Sequence, residues 1–129
     1  MSGRPPRRAS QGFPARARLR RRSEFEALYA RGLKLVEPRL VAFIAPAPDR
    51  GGGWRLGLSV GLKVGNSPRR NRVKRVLREA FRQVSTEWPE ACDLVLVARP
   101  GSAPSTTAEA RESLLRLRER WRRRTGAGA

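Results

Sequence analysis

Apolar positions recur at helical spacing in three stretches of this chain, and alternate or run together in four others. Ser23 and Glu26 have the spacing of a capping box, which predicts a short helix starting there. Phe25, Leu28 and Tyr29 share one face of it, and Gly32 stands where a C′ stop belongs. Leu33 to Val36 and Arg39 to Ala45 are rich in aliphatic residues and separated by Pro38, giving a short strand and a longer one. Pro46 to Gly53 reads as a loop. Trp54, Leu56, Leu58 and Val60 then alternate with Arg55, Gly57 and Ser59, the pattern of a half-buried strand. Its simplest partner is the strand before the loop, in an antiparallel pair. Ser67 as N-cap and Pro68 at the first helical position open a long helix expected to reach about Thr86, before Trp88-Pro89.

Asp93 to Arg99 is an apolar run bounded by charge and by Pro100-Gly101, hence a buried strand. Thr106 and Glu109 repeat the capping-box spacing, and Ala110, Leu114, Leu117 and Trp121 mark the apolar face of a last helix. The order α-β-β-β-α-β-α is that of an α+β fold, a single sheet with helices packed on it. Residues 1–17 lack periodicity and read as a disordered basic arm, 18–123 as one domain and 124–129 as a frayed tail.

The central helix carries the strongest pattern. Val73, Val76, Leu77, Ala80, Phe81 and Val84 form one stripe at about 100° per residue, the face that packs on the sheet. Asn71, Arg75, Arg78 and Arg82 lie opposite, Arg72 and Lys74 occupy the shoulders, and Arg69 and Arg70 lie in the first turn. Surface helices usually mix both signs and gain i,i+4 pairs, whereas Glu79 is the one acid between Arg69 and Arg82. Cations at a helix N-terminus also oppose the macrodipole by about 0.3–1 kcal/mol each. Phosphates of a partner would relieve both penalties.

Composition widens that reading to the whole chain. With 29 Lys+Arg against 11 Asp+Glu, the net charge is +18 over 129 residues. Such an imbalance predicts salt-sensitive attraction to polyanions. No stretch approaches the roughly 20 apolar residues of a spanning helix, so a membrane partner is not expected. An apolar signal region is absent from the N-terminus, and the expected compartment is the cytoplasm. Histidine is absent and Cys92 is the single cysteine. A Cys/His metal site and an imidazole general base are thereby excluded. Cys92 is expected as a small, part-buried apolar residue at a strand entrance. Catalytic residues are not expected in this chain.

The stretch from Leu58 to Phe81 centres on Arg70-Asn71-Arg72, followed by Lys74-Arg75 and then Arg78-Glu79-Ala80-Phe81. It resembles the signature of the bacterial ribonuclease P protein family. The resemblance extends over roughly residues 18 to 122, through Arg18-Leu19, Ser23-Glu24-Phe25, Tyr29-Ala30-Arg31-Gly32 and Asp93 to Arg99. Three features depart from the family pattern. Leu62-Lys63 stands where Lys-Lys is usual, Ser67-Pro68 replaces Ala-Val before the triplet, and the N-terminal arm is long.

The resemblance implies a ribonucleoprotein endonuclease that removes the 5′ leader from precursor tRNA. Hydrolysis is carried out there by a catalytic RNA subunit with Mg2+ held mainly by that RNA. The protein alone is expected to be inactive, and strengthens substrate and magnesium binding. Arg70, Asn71, Arg72, Lys74, Arg75 and Arg78 match the positions that grip the catalytic RNA. Phe25, Tyr29 and Phe43, with Lys63 as a nearby cation, match a cleft that holds the leader between the central helix and the sheet. Trp54, Trp88 and Trp121 have no counterpart in the motif and are expected in packing. The family's fold, ribosomal protein S5 domain 2-like, contains a left-handed β-α-β crossover, whereas parallel crossovers are right-handed in about 98% of cases.

Two other readings share part of this pattern. A non-enzymatic, ribosomal-type protein that binds structured RNA has the same charge and fold class but not the long triplet motif. A DNA-binding helix-turn-helix protein would place a positioning helix before the basic helix across a short turn, whereas strands flank it here. DNA is therefore not the expected partner.

Overall fold

The computed structural model describes residues 18–19, 21–46, 54–85 and 92–125, with Thr125 described by its backbone alone. The expected basic arm, the loop tip at 47–53, Thr86 to Pro89 and residues 126–129 lie outside the described residues. The described elements follow the expected order: α1 (Arg22–Arg31), β1 (Leu33–Val36), β2 (Leu40–Pro46), β3 (Trp54–Ser59), α2 (Ser67–Val84), β4 (Cys92–Ala98) and α3 (Thr107–Thr125). A 3-10 turn at Leu62–Val64 links β3 to α2.

The sheet order is β1-β2-β4-β3, so β3 does not pair with β2 as the hairpin reading had it. β4 inserts between them, antiparallel to β2 and parallel to β3. The physical reason lies in the side chains. β4 is apolar on both faces: Cys92, Leu94, Leu96 and Ala98 are buried on one side, and Val95 on the other. Such a run belongs inside a sheet. β3 carries Arg55, Gly57 and Ser59 at alternate positions and takes the edge. A parallel β3–β4 pair needs a long crossover, and α2 supplies it.

Three layers result. Leu35, Leu40, Ala42, Ile44, Leu56, Leu94 and Leu96 pack beneath α2 and α3 in the main core. From the helices come Val73, Leu77, Ala80, Phe81 and Val84, then Ala110, Leu114, Leu117 and Trp121, all buried as the stripes predicted. Trp54 meets Phe81 edge-on, with ring centroids 4.6 Å apart. On the opposite sheet face, Leu19, Leu28 and Val95 form a smaller cluster under α1, flanked by Phe25, Phe43, Ala45 and Val97. Cys92 is fully buried rather than part-buried, because β4 is an interior strand.

The helix ends differ from expectation by a residue or so. Asn66, not Ser67, caps α2, its Oδ1 accepting from the Arg69 N–H at 3.0 Å. At α1 the reciprocal carboxylate is Glu24, which accepts from the Arg21 N–H at 3.2 Å. Glu26 pairs with Arg22 instead, at 3.1 Å. Gly32 does end α1, but with φ −73°. A Cβ there would lie 2.6 Å from the Leu28 carbonyl oxygen, so close approach rather than left-handed backbone demands glycine. At α3 the expected pair acts as read: Thr106 Oγ1 accepts from the Glu109 N–H at 3.1 Å.

Behind the core, Glu37 is a buried carboxylate between β1 and β2, held by Arg116 at 2.7 Å and Arg120 at 2.8 Å. Burial pushes its pKa up, but hydrogen bonds and charge from the two arginines outweigh this and hold it below the ordinary value. This clamp ties α3 to the sheet.

Candidate nucleic-acid interface

Packing α2 on the sheet through its apolar stripe leaves the basic residues on the other side. Asn71, Arg72, Arg75 and Arg78 are exposed, and Lys74 is half-buried. The side chains of Asn71, Arg72, Lys74 and Arg75 make no hydrogen bond or ion pair among the described residues. The one acid nearby is already used, since Glu79 Oε1 accepts from Arg82 Nε at 3.1 Å. Hydrogen bonds from Arg82 and then Gln83 lower the Glu79 pKa. The outward face of α2 is thus a row of cations without counter-charge.

Arg70 and Arg69 are engaged differently. Arg70 folds back so that its Nε donates to the Gly65 carbonyl at 3.1 Å and its guanidinium reaches Ser67 Oγ at 3.1 Å. Ser67, one of the departures from the family pattern, thereby fastens the loop ahead of α2. Gly65 has φ +155°, and a Cβ there would press on Arg69 at 3.0 Å. Arg69 reaches Ser105 Oγ at 3.4 Å. Of the six motif residues, Arg70 therefore shapes the loop while the other five stay available.

The aromatic residues come together elsewhere. Lys34, Phe43, Val95 and Gly57 lie in one transverse row across the four strands. Tyr29 from α1 stands over this row, 5.0 Å from the Phe43 ring and 6.4 Å from Phe25, both edge-on. Phe25 lies against Gly57, where a Cβ would come within 2.6 Å of its ring. Tyr29 is 42% exposed, an unusual degree for a ring with two aromatic neighbours. The stripe sits on the α1 face of the sheet. The main core fills the space directly beneath α2, so Tyr29 and Phe43 do not lie there, and Phe25 alone reaches a groove between the β3 edge and α2. The cation over an aromatic ring is Lys34, its Nζ 5.9 Å from the Phe43 centroid. Lys63 stands exposed on the 3-10 turn ahead of α2. Leu62 beside it is 79% exposed, and nothing in the structure explains that substitution.

The two surfaces meet at the β3 edge. Arg18 forms an isolated parallel bridge with Leu56, and the Leu19 N–H donates to the Leu56 carbonyl at 3.0 Å. This carries Arg18 into a groove lined also by Phe25, Gly57, Lys74 and Arg78. Burial, then the charge of Arg18, lowers the pKa of the Arg78 guanidinium, which stays protonated. Near α1's start, Arg55 bridges Asp93 at 3.2 Å and Glu24 at 3.0 Å. The Asp93 hydrogen bond is the main cause raising the Arg55 pKa. That cation is satisfied internally and belongs to the scaffold.

Arg18, Lys34 and Gly57 were not among the expected site residues. Gly57 alone had a local signal, as a glycine inside an alternating strand, which marks close approach of another group. Among the described residues no three acids, cysteines or histidines gather to hold a metal ion. No described helix is long and apolar enough to cross a membrane.

Comparison with known proteins agrees with this architecture. The family model for ribonuclease P matches residues 13–122. A ribonuclease P protein component from Brevibacillus brevis is 36% identical over 103 residues, covering 80% of this chain and 81% of the relative. One from a Mycobacterium species is 36% identical over 117 residues, covering 91% of this chain and 99% of the relative. The solved structure of the RNase P protein from Thermotoga maritima superposes with a TM-score of 0.71 at 31% identity, covering 80% of this chain and 96% of that one. The RNase P protein of Staphylococcus aureus superposes at 0.68 with 29% identity, covering 78% and 90%. The open mixed sheet and its helix order are those of one family, and this chain belongs to it: the ribonuclease P protein family.

Proposed function

We propose that this chain assists a catalytic RNA in the endonucleolytic removal of the 5′ leader from precursor tRNA. The observation that carries the reading is the meeting of two chemically distinct surfaces at the β3 edge. One is the cationic face of α2, and the other is the aromatic stripe of half-buried Phe25 and Phe43 with exposed Tyr29. Asn71, Arg72 and Arg75 grip the catalytic RNA through its phosphates, and Lys74 and Arg78 continue the cationic face of α2 to the β3 edge. Unpaired leader nucleotides stack on the aromatic stripe at roughly 1–3 kcal/mol per base, largely regardless of sequence. Lys34 adds charge at one end of that stripe.

In this reading the magnesium ions are held mainly by the RNA subunit, and the protein strengthens their binding indirectly by positioning the substrate. Reconstitution tests the proposal. The full chain is mixed with its cognate catalytic RNA and a precursor tRNA at low magnesium, and each component is assayed alone. Cleavage should rise sharply with both present, and the protein alone should be inert. Cleavage indifferent to the protein would refute the proposal.

A further inference from the structure

We infer that Arg18, Lys74 and Arg78 form a phosphodiester clamp at the β3 edge, which takes one backbone phosphate of a single-stranded RNA whose adjoining base lies against Phe25. The inference rests on the leader-binding reading above and adds a phosphate site to it.

The groove gathers three cations around an aromatic wall, and among the described residues no acid lines it. Its volume of about 240 Å³ falls below the roughly 300–1,000 Å³ of sites built for drug-sized ligands. It suits a phosphate and part of a nucleotide.

Arg18 gives the sharper signal. Its Nε is buried and has no hydrogen-bond partner. Buried donors are nearly always satisfied, and an arginine fork that lacks an acceptor matches a phosphate's paired oxygens. Among the described residues no acid holds Arg18 there. The backbone does, through its bridge to Leu56 and the adjoining Leu19 hydrogen bond. Arg78 is held beside this like charge, and its lowered pKa reflects burial first and Arg18 second. An anion between them removes both penalties.

Single-stranded RNA is the source that fits. Phe25 forms the groove wall, and Tyr29 and Phe43 continue from it across the sheet. A base can reach that stripe only when it is unpaired. Lys74 and Arg78 then lie where the leader's backbone passes from the stripe towards the face of α2.

The test uses Arg18→Gln and Arg18→Lys in the full chain, reconstituted with the cognate catalytic RNA. Affinities for precursor and mature tRNA are measured across salt concentrations, beside the affinity for the catalytic RNA itself. Arg18→Gln should weaken precursor binding about tenfold, as expected for one charge-assisted phosphate contact. It should flatten the salt slope by about 0.7 and leave mature tRNA and ribozyme assembly unchanged. Arg18→Lys should recover part of the loss. Unchanged precursor affinity, equal loss for mature tRNA, or weakened assembly would each overturn the clamp, the last by giving the phosphate to the catalytic RNA. Tyr29→Ala separates the two levels. If it weakens precursor binding and Arg18→Gln does not, the clamp alone fails; if neither does, leader binding fails with it. Should reconstitution give no cleavage, a short single-stranded RNA oligonucleotide titrated against the free full chain decides. Weaker binding by Arg18→Gln sustains the clamp, and equal binding rejects it.

Discussion

Gly57→Ala tests how the aromatic stripe is seated. The added Cβ would lie 2.6 Å from Phe25 Cζ, 3.0 Å from Cε2 and 3.2 Å from the Leu19 Cβ. Carbon atoms prefer about 3.5–4.0 Å, so the Phe25 ring must retreat by about 1 Å. That ring is backed by Tyr29, which itself abuts Phe43. Overpacking of this kind costs about 1–3 kcal/mol. The same change relieves the ordinary strand penalty of glycine, about 0.5–1 kcal/mol. The net expectation is a destabilisation of about 0.5–2 kcal/mol from these two terms. In a domain of this size that lowers Tm by several degrees, at about 4–8 °C per kcal/mol. Thermal and urea denaturation measure it. The decisive variant is the pair Gly57→Ala with Phe25→Leu, whose smaller side chain makes room for the methyl group. The penalty of Gly57→Ala should largely vanish in that background. If the two changes add within about 0.3–0.5 kcal/mol, or if Gly57→Ala alone stabilises the protein, the seating of Phe25 on Gly57 is refuted.

Three further predictions follow from the same geometry. Arg72→Ala, on a face without counter-charge, should weaken binding to the catalytic RNA and reduce the steepness of its salt dependence; an unchanged slope removes Arg72 from that contact. Tyr29→Ala should weaken affinity for precursor tRNA by about five- to a hundredfold, the worth of one stacked base, and spare mature tRNA. The Glu37 pKa lies below its ordinary 4.5 in the fold, so the unfolded chain takes up this proton first as pH falls. Its stabilising contribution is complete above the ordinary value and is lost as pH drops through the lowered one. Glu37→Gln should therefore flatten the acid limb of stability against pH; an acid limb identical to the parent's would mean the clamp contributes nothing.

Much of this protein is legible in short windows of sequence. The apolar stripe of α2, the face of α3 from Ala110 to Trp121 and the run of β4 buried the residues that periodicity selects, except that Val76 and Val97 are only half-buried. Such patterns are read locally, because a side chain's direction depends on the rise and turn of its own element. The basic face of α2 followed by elimination, since a stripe committed to the core leaves its opposite side to solvent. The family motif lies on that same helix and is equally local.

Tertiary structure decided what depends on neighbours distant in sequence. Whether β3 pairs with β2 or with β4 depends on which strand can be buried on both faces, and a window around β3 alone does not contain that comparison. The transverse row Lys34, Phe43, Val95 and Gly57 draws one residue from each of four strands, so no spacing encodes it. For the same reason Lys34, not Lys63, is the cation above Phe43. Arg70 shows the limit within the motif itself: its place in the triplet marks it as cationic, but the fold turns it onto Gly65 and Ser67. The sequence by itself determined that one helix of this chain turns a cationic face away from the core. Only the packed sheet decided that Arg18 stands beside Arg78 and that Tyr29 and Phe43 lie on the α1 face while Phe25 reaches the β3 edge, because both follow from the order of strands.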